Sequence, residues 1–245
     1  MTGSCFAERL GHFLDLSDKE RAALARLEER ERPLKRGQML RRENDGSDEI
    51  YILRHGWMMS YVYLDDGSRQ ILRLHFPGDL IGSSNIAYRD APESLTAITD
   101  AVVCPFEKQA LRTLFDEHPR IAALLFAVSQ AERVSLTDRL ASLGRTSARA
   151  RVGALLLDML HRIRFMRKEV TNSFELILTQ EEIGDATGLT AVHVNRMMRV
   201  LAEEGMIERR NGSVTIADER ALARASAYFN RFAELDTSWF PASRG

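Results

Sequence analysis

The chain has 245 residues, enough for two domains with cores of their own, and its formal net charge is −1. From Arg145 onward there are 15 Lys+Arg against 13 Asp+Glu, and 19 against 22 before it, so any charge that meets a nucleic acid must be local. Two cysteines, Cys5 and Cys104, supply no disulfide framework, and no apolar run reaches the roughly 18 residues of a membrane span, so a cytoplasmic protein with no membrane partner is expected.

Residues 1–33 read as a helical lead-in. Ser17 caps DKERAALARLEERE, Leu24 and Leu27 face inward, and Pro33 breaks the helix. Residues 34–118 change texture to short alternating strands. Gly37, Asp45-Gly46, His55-Gly56, Asp66-Gly67 and Pro77-Gly78 punctuate β-branched and aromatic runs such as EIYILRHG and RQILRLHF. Strands of this length and spacing predict a sandwich or jelly-roll barrel, which suits a binding pocket, an enzyme or a scaffold equally. Residues 107–120 read as a short helix.

Residues 119–144 form a long helix. Ile121, Leu124, Leu125, Val128, Ala131, Ser135 and Leu136 recur at steps of three and four, a seam that predicts pairing with a second copy or packing on the chain's own barrel. Gly144 ends it and marks the domain boundary. In residues 145–217, Val152, Leu155, Leu156, Met159, Leu160 and Ile163 line one helical stripe, and FELILT (174–179) reads as a strand. Residues 218–245 are a helical tail, with Leu222, Ala225, Tyr228, Phe229 and Phe232 on one face through residue 236. The fold class is therefore α+β: an N-terminal β barrel, a long helix and a small C-terminal α/β domain.

The stretch TQEEIGDATGLTAVHVNRMMRVLAEEG reads as two helices around a tight turn. Thr179 and Glu182 form a capping box, Gly188 supplies the turn, and Thr190 caps the second helix. Val194, Met197, Met198 and Leu201 fall on the inner side of that helix; Ala191, Val192, Asn195, Arg196 and Arg199 fall on the other. A solvated arginine face would look the same. The hairpin that follows, MIERR-NG-SVTI with Asn211-Gly212 at its tip, makes the unit a winged helix, and its Arg209 and Arg210 are placed to meet phosphates of double-stranded DNA.

A barrel, a long helix and a C-terminal winged helix in this order resemble the CRP/FNR family of bacterial transcription regulators. The resemblance rests on HFPGDLIGSSNIAYRDAPESLTAITDAVVCPF and LTQEEIGDATGLTAVHVNRMMRVLAEEGMI, and it spans roughly residues 34–216; the TAVHVNR form resembles one branch of that family. It implies a cyclic-nucleotide-binding-like barrel, a homodimer joined by its long helices, two wings on a palindromic operator, and RNA polymerase as a partner. Family members commonly carry a Glu, a small residue and an Arg on the groove face. The matching positions here are Val192, Asn195 and Arg196, so the arginine is kept and the carboxylate is lost. The expected DNA-binding set is Thr179, Thr190, Ala191, Val192, Asn195, Arg196, Arg199, Arg209 and Arg210. His193 borders the face and is assigned no pH role.

Cyclic-AMP-binding members hold the phosphate with a Gly-Glu and an Arg-Ser pair. Those pairs align here to Gly82-Ser83 and Glu93-Ser94, which puts a repelling carboxylate where an arginine should be. Cyclic AMP is therefore disfavoured, with Arg89 in a shifted loop as the route to rescue. The effector pocket expected is Gly82, Ser83, Ser84, Arg89, Glu93 and Ser94, its ligand unidentified. No cofactor is expected. A four-Cys iron–sulfur cluster is excluded by the cysteine count. Haem or a redox-active thiol could use His75, Cys104 or Cys5, although a buried apolar Cys and a strand-end His are favoured.

The competing reading is a jelly-roll enzyme, metal-dependent and cupin-like, with a helical domain that binds no DNA. The barrel strands offer His55 and His75, twenty residues apart, and no H-x-H pair, and the chain has neither a Walker loop nor a G-x-S-x-G elbow. No catalytic residue and no metal site is expected.

Overall fold

The computed structural model describes residues 3–46 and 48–242. They form two units, one of residues 3–46, 48–62, 72–131 and 234–242, the other of residues 63–71 and 132–233. The first opens with helices α1 (Cys5–Leu10) and α2 (Asp18–Arg26). Ser17 and Glu20 exchange side chain and backbone hydrogen bonds as a capping box, which starts α2 at the position expected. Glu28 does the same work for α1 from outside it: its carboxylate accepts from Ser4 Oγ, from Cys5 N at 3.2 Å and from Phe6 N at 3.1 Å. The lead-in is thus folded onto itself before the barrel begins.

Eight strands follow among the described residues: β1 (Arg32–Leu34), β2 (Met39–Arg41), β3 (Glu49–His55), β4 (Met58–Tyr63), β5 (Arg69–His75), β6 (Leu80–Ile81), β7 (Ser94–Ala97) and β8 (Ala101–Glu107). They form two four-stranded sheets, ordered β1-β8-β3-β6 and β2-β7-β4-β5. Leu34, Tyr51, Leu53, Met58, Ile81, Leu95, Ala97, Ala101 and Val103 close a core drawn from both sheets, as the alternating pattern requires. Pro33 does not break a helix. Helix α2 has already ended at Leu27, and Pro33 lies in β1, an edge strand where a missing N–H is tolerated. A buried ion pair ties α1 to the barrel: Arg9 Nη2 stands 2.8 Å from Asp79 Oδ1, and the carboxylate also accepts from Phe76 N at 2.9 Å.

Helices α3 (Lys108–Glu117) and α4 (Pro119–Arg145) come next. Helix α4 runs through Gly144 and stops one residue later, a shift within the ordinary fraying of a helix end. Its apolar residues divide between two roles. Ile121, Ala123, Leu124, Val128 and Ala131 are buried within this single chain, while Phe126, Leu136 and Leu140 are 60%, 49% and 72% exposed. The first half of the expected seam is thus buried within the chain, one of the two outcomes its spacing allowed, while Leu136 of that seam is exposed, as are Phe126 and Leu140 outside it.

In the second unit, α5 (Ala148–Met166) carries the buried stripe Val152, Leu156, Met159 and Leu160. Around it stand β9 (Ser173–Glu175), α6 (Gln180–Thr187), α7 (Ala191–Glu203), β10 (Ile207–Arg210), β11 (Ser213–Ile216) and α8 (Glu219–Ser226), with a three-stranded sheet in the order β10-β11-β9. Two expectations need correction. FELILT is a strand only at its start, because pairing with β11 ends at Glu175 and Leu178 turns into the core. The tail helix stops at Ser226 rather than near residue 236. Ala227 takes a left-handed conformation, φ 47°, and Tyr228 N bonds back to the Ala223 carbonyl at 3.0 Å, which closes the helix end. Phe229 beyond it is exposed. The last three residues of the tail lie outside the described residues.

Candidate nucleic-acid interface

The site is built on the turn between α6 and α7. Thr179 Oγ1 accepts from Glu182 N at 3.1 Å, and Glu182 Oε2 accepts from Thr179 N at 2.8 Å. Gly188 ends α6 in a left-handed conformation, φ 66°. Gly184 matters as much, and the sequence reading passed over it: a Cβ there would lie 2.3 Å from the Leu189 carbonyl oxygen, so only a bare Cα lets the turn fold back this closely. Thr190 Oγ1 then caps α7 by accepting from His193 N at 3.3 Å.

The last carbonyls of α6, which an isolated helix would leave unpaired, all receive side-chain donors. Arg151 Nη1 reaches the Thr187 oxygen at 2.7 Å, Arg139 Nη2 the Ala186 oxygen at 2.5 Å, and Gln70 Nε2 the Asp185 oxygen at 2.6 Å. Arg69 Nε also donates to Asp185 Oδ2 at 2.7 Å. Burial pushes the Arg139 guanidinium below its usual pKa, partly offset by Asp158. These donors come from residues 36 or more positions away in the chain, and no local pattern marks them. They hold α6 rigidly, and α6 in turn sets the pose of α7.

Helix α7 buries Val194, Met198 and Leu201, with Met197 only half-buried. Its opposite side leaves Ala191, Arg196 and Arg199 exposed, Asn195 half-exposed, and Val192 83% exposed. Nothing in the fold of this unit explains an aliphatic side chain held so far into solvent. Arg209 and Arg210 are exposed on β10, and the hairpin turns through Asn211 and Gly212, both with positive φ, in the geometry that favours this dipeptide. Thr179 and Thr190 are exposed at the two helix starts. All nine residues expected of the face thus lie at the surface of one unit.

In the barrel, Gly82 takes φ 71° at the head of a 3₁₀ turn, Ser83–Ile86. Ser84 Oγ lies 3.5 Å from Glu93 Oε1, and Ser94 Oγ accepts from Glu43 N at 3.0 Å. Arg89 points to solvent and does not rescue the missing arginine. The basic group beside Gly82 is instead Arg41, which the sequence reading overlooked. Cys104 is fully buried, its thiol pushed up in pKa by burial and then by the Glu28 charge. The Cys5 thiol is pushed up further by burial and by Glu28, whose Oε2 lies 3.1 Å from its Sγ.

A model of the cyclic nucleotide-binding domain matches residues 31–118, and a model of the Crp-like helix-turn-helix domain matches residues 150–225. The fumarate and nitrate reduction regulatory protein of Escherichia coli K12 is 26% identical over 213 residues, 87% of this chain and 85% of its own length. The transcriptional activator protein Anr of Pseudomonas protegens is 29% identical over 84% of each chain. The chain belongs to the CRP/FNR family of bacterial transcription regulators. Among solved structures, FixK2 from Bradyrhizobium japonicum superposes with a TM-score of 0.71 at 25% identity, over 82% of this chain and 98% of that one. As a CRP/FNR-type regulator the protein is a DNA-binding transcription factor and not an enzyme, which disposes of the cupin-like alternative. Among the described residues, no helix is long and apolar enough to cross a membrane.

Proposed function

We propose that this regulator reads DNA as a homodimer in the cytoplasm, with the N-terminal half of α7 in the major groove of each half-site. The observation that carries the reading is the bare outer face of α7, where Val192, Asn195, Arg196 and Arg199 face solvent while the inner side is sealed. The Arg196 guanidinium suits O6 and N7 of a guanine, and the Asn195 amide suits adenine or a phosphate. Val192 can touch a thymine methyl but cannot accept from a cytosine amino group, so the half-site departs from the core read by members that carry a glutamate there. Thr179, Thr190, Ala191, Arg199, Arg209 and Arg210 lie where phosphates would flank such a helix.

Pairing of two copies along α4 would set the half-sites about one helical turn, ~34 Å, apart on a palindrome. RNA polymerase is the further partner that membership of the family suggests. This reading disfavours cyclic AMP as the signal, because Glu93 stands where the phosphate's arginine would, and two cysteines are too few for a four-Cys iron–sulfur cluster within one chain. The experiment is selection of a randomised duplex library by the full-length protein, followed by band shifts over a salt series. A palindromic consensus and a log–log salt slope of several units are expected, about 0.9 per phosphate neutralised. A library that returns no enriched sequence would overturn the reading.

A further inference from the structure

Arg41 is 4% exposed, and its Nε, Nη1 and Nη2 atoms have no hydrogen-bond partner among the described residues. A guanidinium carries five N–H donors that remain charged at any physiological pH, so burying it without an acceptor is among the most costly placements a side chain can take. Burial pushes its pKa down, and the Tyr51, Glu93 and Asp45 groups offset this only in part through space. None of the three makes an ion pair or hydrogen bond with it.

The fold holds Arg41 in place from two sides. On β2 it stands opposite Leu95 of β7, and Leu95 stands opposite Ser60 of β4, so the three form one row across the sheet. Leu95 belongs to the barrel core, which turns Ser60 inward as well. Ser60 is 1% exposed, and its hydroxyl also has no partner among the described residues. The guanidinium lies against the backbone of Gly82, where a Cβ would meet Nη1 at 3.0 Å and Nη2 at 3.2 Å. Gly82 is thus needed for room as well as for its positive φ. Neighbouring strands are about 4.8 Å apart, so an arginine two strands from a serine can share one small group with it.

We propose that the barrel binds a small oxyanion, the carboxylate or phosphate group of a metabolite, at Arg41, with Ser60 Oγ as a second donor. Glu93, on the other side of the 3₁₀ turn from Gly82, is placed to accept from a hydroxyl or amine elsewhere on the same ligand. The cation comes from β2 rather than from the segment around Glu93, so the carboxylate at Glu93 does not abolish anion binding. It changes which anion fits. The inference deepens the regulator reading by assigning a ligand class to its barrel, yet it does not depend on which DNA is read.

The test is thermal unfolding and calorimetric titration of the full-length protein with inorganic phosphate, malonate and cyclic AMP, each at constant ionic strength. Phosphate or malonate is expected to bind saturably and raise the Tm, and Arg41→Met to weaken that binding at least tenfold. Without added anion, Arg41→Met is expected to melt higher than the unmodified protein, because it removes an uncompensated buried charge. Ser60→Ala should weaken binding threefold to tenfold while keeping the fold. A response to phosphate alone identifies a phosphate group, to malonate alone a carboxylate, and tighter binding of cyclic AMP than of phosphate a nucleotide. No saturable response to phosphate or malonate overturns the proposal, as does a response that survives Arg41→Met. Should Arg41→Met not fold, binding unaltered in both Arg41→Lys and Ser60→Ala overturns it. Band shifts on the same preparations read DNA binding separately, so failure of the anion site and failure of the DNA reading are told apart.

Discussion

Arg196 Nη2 lies 2.9 Å from Nε2 of His193, one turn earlier on the same exposed face of α7. Arginine can only donate, so the histidine nitrogen must be the acceptor, which puts the ring proton on Nδ1. His193 therefore aims the one side chain on that face best matched to a guanine. Replacing Arg196 by Ala should cost about 1–3 kcal/mol of specific binding and relax one base position per half-site. His193→Ala keeps the charge but frees the guanidinium, and should cost less than Arg196→Ala, on the order of 0.5–1.5 kcal/mol. Competition binding on single-base variants of the selected operator measures both. An unchanged base preference in Arg196→Ala would remove that residue from the readout.

The turn before α7 has no space to give. Gly184→Ala would put a methyl 2.3 Å from the Leu189 oxygen, a backbone atom that can yield only by moving the turn. The expected loss is at least about 2 kcal/mol, with DNA binding falling in parallel. Gly153→Ala meets Ser226 Oγ at the same 2.3 Å, but that atom sits on a side chain that can rotate, so about 1–2 kcal/mol is expected there. Urea unfolding of the two variants gives the order, and a Gly153→Ala loss larger than that of Gly184→Ala would contradict the packing described.

Glu219 links α8 to α5. Its carboxylate lies 2.7 Å from His161 Nε2 and 2.8 Å from Arg164 Nη1. Burial works against its charge, but the bonds to His161 and Arg164 outweigh that and hold its pKa below the ordinary glutamate value. With the folded-state pKa depressed, its contribution is present above the unfolded value of about 4.3 and is lost as pH falls through the folded value. The Tm of the protein should therefore drop more steeply below pH 4.5 than that of Glu219→Gln, which has no such proton to take up. Parallel acid profiles for the two proteins would expose the idea as wrong.

Much of the winged helix was legible because its signals are local. The Thr179–Glu182 spacing, Gly188 and Asn211-Gly212 each fix their own few residues, and the structure shows each in the geometry its chemistry requires. What was not legible depends on partners far off in the chain. Arg151 looks like any helix arginine until Thr187 is placed beside it, and Arg41 reads as one more charge between strands until the sheet turns it inward. The tail misled for a different reason. Leu222, Ala225, Tyr228, Phe229 and Phe232 keep a helical period, but the chain leaves the helix at an alanine in a left-handed conformation, which no glycine or proline announces. Tyr228 then stacks on His161 at 5.4 Å between ring centroids, an attraction invisible to periodicity.

The two thiols should be sluggish toward electrophiles and peroxide. Only a thiolate attacks, and burial together with the Glu28 charge pushes both Cys5 and Cys104 above the ordinary thiol range. Under native conditions, labelling by a thiol-reactive disulfide reagent at pH 7.5 is expected to be at least about tenfold slower than in urea. Rapid native labelling of Cys104, which is fully buried, would require an opening of the barrel that this structure does not contain.

The stripe left open on α4 has the spacing of a paired helix. Phe126 and Leu140 are fourteen residues apart, two heptads, and Leu136 falls three residues beyond the position midway between them. Each is largely solvated in one protomer and so contributes little to the fold of a single chain. Burying an apolar side chain this exposed contributes about 1.5–3 kcal/mol, so three per copy give an association that one charge can undo. Leu140→Glu should therefore convert the proposed dimer to a monomer, measured by light scattering on a sizing column, while the Tm extrapolated to low protein concentration changes little. Affinity for a palindrome should fall by more than affinity for an isolated half-site, because only the palindrome draws on both copies. If Leu140→Glu stays dimeric, the stripe is not where the two copies meet.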